Sequence, residues 1–200
     1  MNIVNVGYDS TNYYVLGPAN TRLLVDVGWP GMLPKLVATL KRKDVPFQDI
    51  RYLLVTHYHP DHAGLAQEVK DKGVRLVVLE QQIPAIPMLK TYMKPSNRYV
   101  DITLYDNLQL TSNDSRTFLR SIGIAGVIIS TPGHSDDSVT LILDDGAAFT
   151  GDLPSPDLVG EDARDTVTQS WNNIRSLSGK MIYPGHGPVR PLPPAADRTV

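Results

Sequence analysis

The chain of 200 residues contains no cysteine, which excludes disulfide bridges, thiolate metal ligands and a cysteine nucleophile. It also lacks any apolar run near the roughly 20 residues of a membrane span. Residues 1–17 have no basic region typical of a signal peptide. The formal net charge is only -2, so no overall field attracts nucleic acid or anionic membranes. We therefore expect a cytoplasmic protein that acts on a small-molecule substrate and has no nucleic-acid or membrane partner. A homodimer stays open.

The composition, 42% hydrophobic and 20% charged, is typical of a globular protein, and the length suits one domain over residues 1–200. Short apolar strand patterns and amphipathic helix patterns alternate in both halves, which favours two sheets with helices outside. Prolines in 81–100 indicate short helical pieces there, which we treat as a candidate lid over a site. The remaining predictions are one helix over 61–72, a hairpin of 102–105 with 108–110, a helix over 166–177, a last strand at 180–186 and a frayed tail at 191–200.

The stretch THYHPDHAG, residues 56–64, places His57, His59, Asp61 and His62 within six positions. A single histidine is most often a surface or hydrogen-bonded core residue. Three in six positions, in a chain with only five, are better explained by a divalent metal, because neutral imidazole and carboxylate are common ligands of zinc-like ions.

The spacing of these residues suits two adjacent ions. His57 and His59 are two apart and point the same way on extended backbone. Pro60 breaks the strand, and Asp61 and His62 open the following helix, which turns them in another direction. Further donors follow apolar strands later in the chain. They are His134 in TPGHS, Asp152 in FTGD, which could bridge two ions, and His186 in YPGHG.

These pieces, in this order and with LLVDVG upstream, resemble the metallo-β-lactamase-fold superfamily over positions 23–187. The resemblance implies an α/β fold, the αβ/βα four-layer sandwich, in which two mixed β-sheets are flanked by helices. It also implies a two-metal site on one edge of the sandwich.

Carried over by the resemblance, the first ion would be held by His57, His59 and His134, and the second by Asp61, His62 and His186. Asp152 would bridge both ions, and Asp26 would orient the ligands from behind. Two divalent ions, with zinc favoured over manganese or iron, would activate a water for attack on an ester, lactone or thioester carbonyl. Asp61 would also act catalytically by passing a proton to the leaving group.

The missing cysteine excludes the β-lactamases that use a cysteine ligand, and the flavodiiron proteins carry Glu at the place of His59. Two alternatives remain. One is a small phosphodiesterase with the same binuclear site. The other is a mononuclear iron oxygenase resembling the persulfide dioxygenases. Metal identity and oxygen consumption would separate the oxygenase from the two hydrolases.

Overall fold

The computed structural model describes residues 1–193, which form two facing β-sheets. The first sheet has six strands in the order β1-β2-β3-β4-β5-β6, and the second has five in the order β11-β10-β9-β8-β7. The strands of the first sheet are β1 (Ile3–Asn5), β2 (Tyr14–Leu16), β3 (Arg22–Val25), β4 (Ile50–Leu54), β5 (Arg75–Leu79) and β6 (Leu108–Leu110). Those of the second are β7 (Gly126–Ser130), β8 (Val139–Leu143), β9 (Ala147–Gly151), β10 (Met181–Pro184) and β11 (Arg190–Pro191).

Both sheets are mixed. Strands β3 to β6 run parallel and β1 to β3 antiparallel. In the second sheet only the β9–β10 pair is parallel. The helices are α1 (Leu33–Arg42), α2 (Pro60–Ala63), α3 (Ala66–Lys70), α4 (Ser112–Ser121) and α5 (Glu161–Ser176). Short 3₁₀ helices cover Phe47–Asp49, Glu80–Ala85, Pro87–Tyr92, Pro95–Asn97 and Pro156–Leu158.

Three buried clusters define the four layers. The first packs α1, α3 and the 80–102 segment on the outer face of the six-stranded sheet. The second fills the space between the sheets, and Leu119 and Ile122 of the α4 region close its edge. The third joins α5 to the outer face of the five-stranded sheet through Val167, Trp171 and Ile174. The predicted sandwich of two mixed sheets flanked by helices is therefore confirmed.

Two predicted elements are wrong, and each fails because of a contact that is distant in sequence. The helix over 61–72 is split into α2 and α3, because the Leu65 amide donates to the Gly28 carbonyl (2.7 Å) rather than to its own helix. The hairpin of 102–105 with 108–110 does not form, since β6 pairs parallel with β5. Instead, the Lys70 ammonium binds the turn at 103–107.

Two predicted ends also shift. Helix α5 begins at Glu161, five residues before the predicted start, with two acidic residues in the first turn that suit the positive end of the helix dipole. β10 is not the last strand, because β11 pairs with it and the Leu192 amide donates to the Lys180 carbonyl (2.7 Å). Residues 191–193 are thus ordered against β10, and the rest of the predicted frayed tail lies outside the described residues.

Candidate metal centre

The loop after β4 places four candidate ligands at one edge of the sandwich. His59 has extended backbone (φ -101°, ψ 158°), and Pro60 begins α2 with the fixed φ that suits a first helical turn. His57 and His62 are buried, with 1% and 0% exposure, while Asp61 is partly open to solvent. The second sheet supplies three more candidates after its strands: His134 after β7, Asp152 after β9 and His186 after β10.

The seven residues come together in three overlapping groups. Within each group, ligand atoms lie within 4.8 Å of one another. The groups are His57, His59 and His134; Asp61, His62 and His186; and His57, His62 and Asp152. The first two match the ligand sets that the resemblance implies for two ions, and the third contains the expected bridge with one histidine from each set. Their role as ligands stays a prediction.

Asp152 lies between the two histidine sets. Its Oδ1 is 3.4 Å from His62 Nε2, and its Oδ2 is 3.4 Å from His186 Nε2 and 3.8 Å from His134 Nε2. This approach depends on Gly185. A Cβ there would stand 2.6 Å from His62 Cε1 and would collide with the Asp152 carboxylate. Only glycine leaves room for these two side chains.

Asp26 fixes the tautomers of two histidines. Its carboxylate accepts from His62 Nδ1 (2.9 Å) and from the Thr56 hydroxyl (2.8 Å). Because the Thr56 hydrogen goes to Asp26, the Thr56 oxygen accepts from His57 Nδ1 (3.2 Å). Both rings therefore carry hydrogen on Nδ1 and turn Nε2, the atom that a cation would bind, into the site.

The remaining histidines are oriented in a similar way. The Ser10 carbonyl accepts from His186 Nδ1 (2.7 Å), which leaves His186 Nε2 facing Asp61 Oδ2 at 3.1 Å. His59 Nδ1 and His134 Nε2 lie 2.9 Å apart. Since each can offer a lone pair, the two rings can face one cation together.

Burial and charge set the proton affinities of these groups. Burial, reinforced by the neighbouring histidines, lowers the pKa of His57 well below its ordinary value, and burial also lowers that of His134. Burial acts the same way on His62, but Asp26 and Asp152 outweigh it and raise the pKa of His62 to about 10. The carboxylates thus favour a positive charge at His62, whether from a proton or from a metal ion.

Buried atoms without partners show that a cation fits here. In residues 1–193, His57 Nε2, His62 Nε2 and Asp152 Oδ1 are buried and have no hydrogen-bond partner. An unpaired buried polar atom is costly, yet three of them converge on one point. Imidazole nitrogen and carboxylate oxygen are the donors that zinc, manganese and iron accept. The donor set therefore fits one or more divalent ions.

Several supporting residues were not found from the sequence. Thr11 Oγ1 donates to Asp61 Oδ2 (3.3 Å), and the Tyr58 amide donates to Asp137 Oδ2 (2.7 Å). Thr11 and Ser10 are far from their partners in sequence and give no local signal. Thr56 and Asp137 stand close to the histidine motifs and could have been suspected from that position alone.

The fold and the clustered histidines define a chain of the metallo-β-lactamase type. The family model of the Metallo-beta-lactamase superfamily matches residues 6–186, and the chain belongs to this superfamily. A solved relative in fold is a metallo-beta-lactamase family protein from Thermus thermophilus. It is 22% identical, with a TM-score of 0.70, over 94% of this chain and 72% of that one.

Two curated relatives match most of this chain. The Beta-lactamase-like protein 2 homolog of Caenorhabditis elegans is 32% identical over 184 residues, which are 90% of this chain and 56% of that protein. The Atrochrysone carboxyl ACP thioesterase of Aspergillus fumigatus is 29% identical over 187 residues, 90% of this chain and 51% of that protein. The chain thus spans just over half the length of these two relatives. Among the described residues, no helix combines the length and apolarity needed to cross a bilayer.

Proposed function

We propose that this chain is a metal-dependent hydrolase that binds two divalent ions, with zinc favoured. It would hydrolyse a thioester, an ester or a lactone at the carbonyl carbon. The observation that carries the proposal is the convergence of seven donor residues, three of them with buried unpaired atoms, at one edge of the sandwich. The second group, Asp61, His62 and His186, offers ligands for a second ion, which the mononuclear oxygenase would leave unoccupied.

Divalent ions, when bound, lower the pKa of coordinated water to about 7 and polarise a carbonyl. The chain itself supplies a partly exposed acid, Asp61, whose Oδ2 lies 3.1 Å from His186 Nε2 and 3.3 Å from Thr11 Oγ1. Its carboxylate is placed to accept a proton from the attacking water and return it to the leaving thiol or alcohol. In this reaction the water oxygen forms a bond to the carbonyl carbon, the C–S or C–O bond breaks, and a carboxylic acid and a thiol or alcohol result.

Among the carbonyl substrates we favour thioesters. Two relatives support this choice by name: the Aspergillus fumigatus protein above and a thioesterase, pkgB, of Emericella nidulans, which is 29% identical over 182 residues. A thiol is also a better leaving group than an alcohol because its pKa is lower. The same ions would serve a phosphodiesterase, so that activity is included as a competing outcome.

The first test is elemental analysis of protein purified without added metal, together with parallel assays on an acyl thioester, a nitrophenyl ester, a lactone and bis-nitrophenyl phosphate. We expect about two zinc or manganese ions per chain and the highest kcat/KM on the thioester. About one iron with oxygen uptake, or turnover of the phosphodiester alone, would overturn the proposal.

A matched pair of variants ties the activity to the site. Asp152→Asn removes a charge between the two groups, so it should lower the metal content and reduce kcat by at least about 100-fold. Asp157→Asn makes the same change at an exposed position five residues later and should retain both.

A further inference from the structure

An exposed aromatic ring stands at the rim of the candidate metal centre. Tyr92 ends the 3₁₀ helix Pro87–Tyr92, and its ring meets the His59 ring edge-on, with centroids 5.1 Å apart and planes at 69°. The side of the ring away from His59 faces solvent, since Tyr92 is 55% exposed. A substrate whose carbonyl reached the metal centre would have this ring beside it.

The ring is held there by packing. Leu89, in the same 3₁₀ helix, is 0% exposed, and Ile86 just before it is 1% exposed. Both lie in the cluster between the first sheet and its outer helices. The segment is therefore anchored through its inner face while Tyr92 remains on its outer face.

Two cations follow Tyr92 on one tight turn. The Lys94 amide donates to Asn97 Oδ1 (2.6 Å), and the Asn97 amide donates to the Lys94 carbonyl (2.9 Å). Such a turn holds the Cα atoms of Lys94 and Asn97 within about 7 Å of each other, and Arg98 follows Asn97 directly. Both side chains are exposed. Within residues 1–193 neither forms an ion pair, whereas the nearby Lys90 is paired with Asp101 at 2.7 Å.

Arg98 also has an unusual backbone conformation, with φ 54°. The other non-glycine residues with positive φ in the described part of the chain all have short polar side chains that tolerate this region: Asp9, Asn20, Asp26, Asp44 and Ser178. Arg98 ends the 3₁₀ helix Pro95–Asn97 in this left-handed conformation, which a long side chain adopts less readily than glycine or asparagine. Strained positions of this kind are concentrated where ligands bind.

We propose that Tyr92, Lys94 and Arg98 bind the phosphopantetheine arm of an acyl thioester, with the phosphate between the two cations and the arm against the tyrosine ring. The inference rests on the thioesterase function proposed above. Lysine and arginine are the usual phosphate-binding side chains, and the phosphate of the arm is an anion that two exposed cations without ion-pair partners would attract.

The lengths agree. About thirteen bonds separate the sulfur of the arm from its phosphorus, as many as in four to five peptide residues, so the extended arm spans about 15 Å. Lys94 lies two residues and Arg98 six residues beyond Tyr92, at most about 7 Å and about 20 Å along the backbone, and the turn shortens the second distance.

The test compares acetyl-pantetheine with acetyl-4′-phosphopantetheine, which differ only by the phosphate. We expect wild type to prefer the phosphorylated substrate by KM, and Lys94→Glu/Arg98→Glu to reduce that preference by about tenfold. The preference should also fall as ionic strength rises. The control Lys72→Glu/Arg120→Glu makes the same charge change at exposed residues away from the candidate centre and should keep the preference.

Binding is measured separately, so that a failed hydrolase function does not hide the result. Calorimetry with the S-methyl forms of pantetheine and phosphopantetheine should show tighter binding of the phosphorylated one, lost in Lys94→Glu/Arg98→Glu. Acyl-coenzyme A and acyl carrier protein, assayed in parallel, separate the two sources of the arm. A weaker reaction of the double variant with either supports the site. Equal binding of both S-methyl compounds by wild type, or a preference that survives in the double variant, overturns it.

Discussion

Individual carboxylates that lie behind the candidate ligands determine much of the geometry at the candidate centre. Asp26 is 2% exposed and has a positive φ of 62°, a conformation that Asp tolerates better than most residues. From there its two oxygens accept the Thr56 amide, the Thr56 hydroxyl and His62. One residue thus connects β3 to the loop after β4 and aligns two imidazoles at once.

Asp137 makes a comparable connection between the loop that carries His134 and the loop that carries His57 and His59. Its Oδ2 accepts the Tyr58 amide at 2.7 Å, and it is 9% exposed. Asp137→Ala would leave that amide without a partner, at about 1–3 kcal/mol of unfolding free energy. We expect at least about tenfold weaker metal binding at the first group, with a smaller effect at the second. Competition with a chromophoric chelator measures both affinities.

The chain offers a neighbouring control. Asp136→Ala removes the neighbouring carboxylate, which is exposed, and should change neither the metal affinities nor the melting temperature. If the two variants behave alike, or if Asp137→Ala weakens both groups equally, then Asp137 does not position the first group.

Elements with local signals were predicted well: apolar runs at 51–56, 74–80 and 138–146 predict strands, and 112–122 predicts a capped helix. Strands such as β4, β5 and β8 are short buried apolar runs, and α4 begins at a capping box in which Thr111 and Asp114 bond each other's backbone amides. The failures were at 61–72, where the carbonyl of Gly28 interrupts the helix, and at 102–110, where Lys70 holds the turn. In each case the deciding residue lies outside the segment. No local pattern reports such contacts.

The same distinction applies to the candidate centre. The donor residues were predictable because the histidines are rare and clustered, and the structure brings all seven together. Ser10 was not predictable, because it contacts His186 across 176 positions of sequence. Tyr92 was noted only as part of the candidate lid 81–100. Whether that segment moves stays a prediction, although its contact with His59 places it at the rim.

Lys70 explains the turn that replaces the predicted hairpin. Its buried ammonium donates to the Thr103 carbonyl and hydroxyl, to Asp106 and to Asn107 at 2.5–2.9 Å. We expect Lys70→Met to lower the free energy of unfolding by about 2 kcal/mol, because these acceptors lose a charged donor. Urea unfolding measures the change. The exposed neighbour Lys72→Met is the control and should stay within about 0.5 kcal/mol of wild type.

Lowering the pH should reduce the difference in unfolding free energy between wild type and Lys70→Met. The hydrogen bond from Lys70 lowers the pKa of Asp106 below its ordinary 3.8. A carboxylate with a lowered pKa stabilises the folded chain above its unfolded pKa, and the contribution disappears as the pH falls through the folded pKa. The difference between wild type and Lys70→Met should therefore be constant from pH 7 to about 5 and shrink below about 4. A difference that grows in acid would contradict the role of Asp106.

At the scale of the whole molecule, the candidate centre joins the two sheets. Loops of the first sheet provide His57, His59, Asp61 and His62, and loops of the second provide His134, Asp152 and His186. The protein also links the two sheets directly here, for example where the Val139 amide donates to the Thr56 carbonyl at 2.8 Å and the Asn12 amide to the Gly185 carbonyl at 2.7 Å. Ions held by both sets would tie the sheets together, so metal affinity should appear as stability of the entire fold.

Removing the metal should therefore lower the melting temperature of the whole domain. At a free zinc concentration about 1,000 times Kd, binding adds about 4 kcal/mol, or about 10 °C for a chain of this size. Calorimetry before chelation, after chelation and after zinc is added back measures this change, and Asp152→Asn should show a much smaller response.

Because the ion displaces the proton that the raised pKa of His62 retains, the metal affinity should rise about tenfold per pH unit between pH 6 and 8. An unchanged melting temperature on chelation would mean that the seven residues do not hold a metal. An affinity independent of pH would mean that His62 holds no proton for the ion to displace.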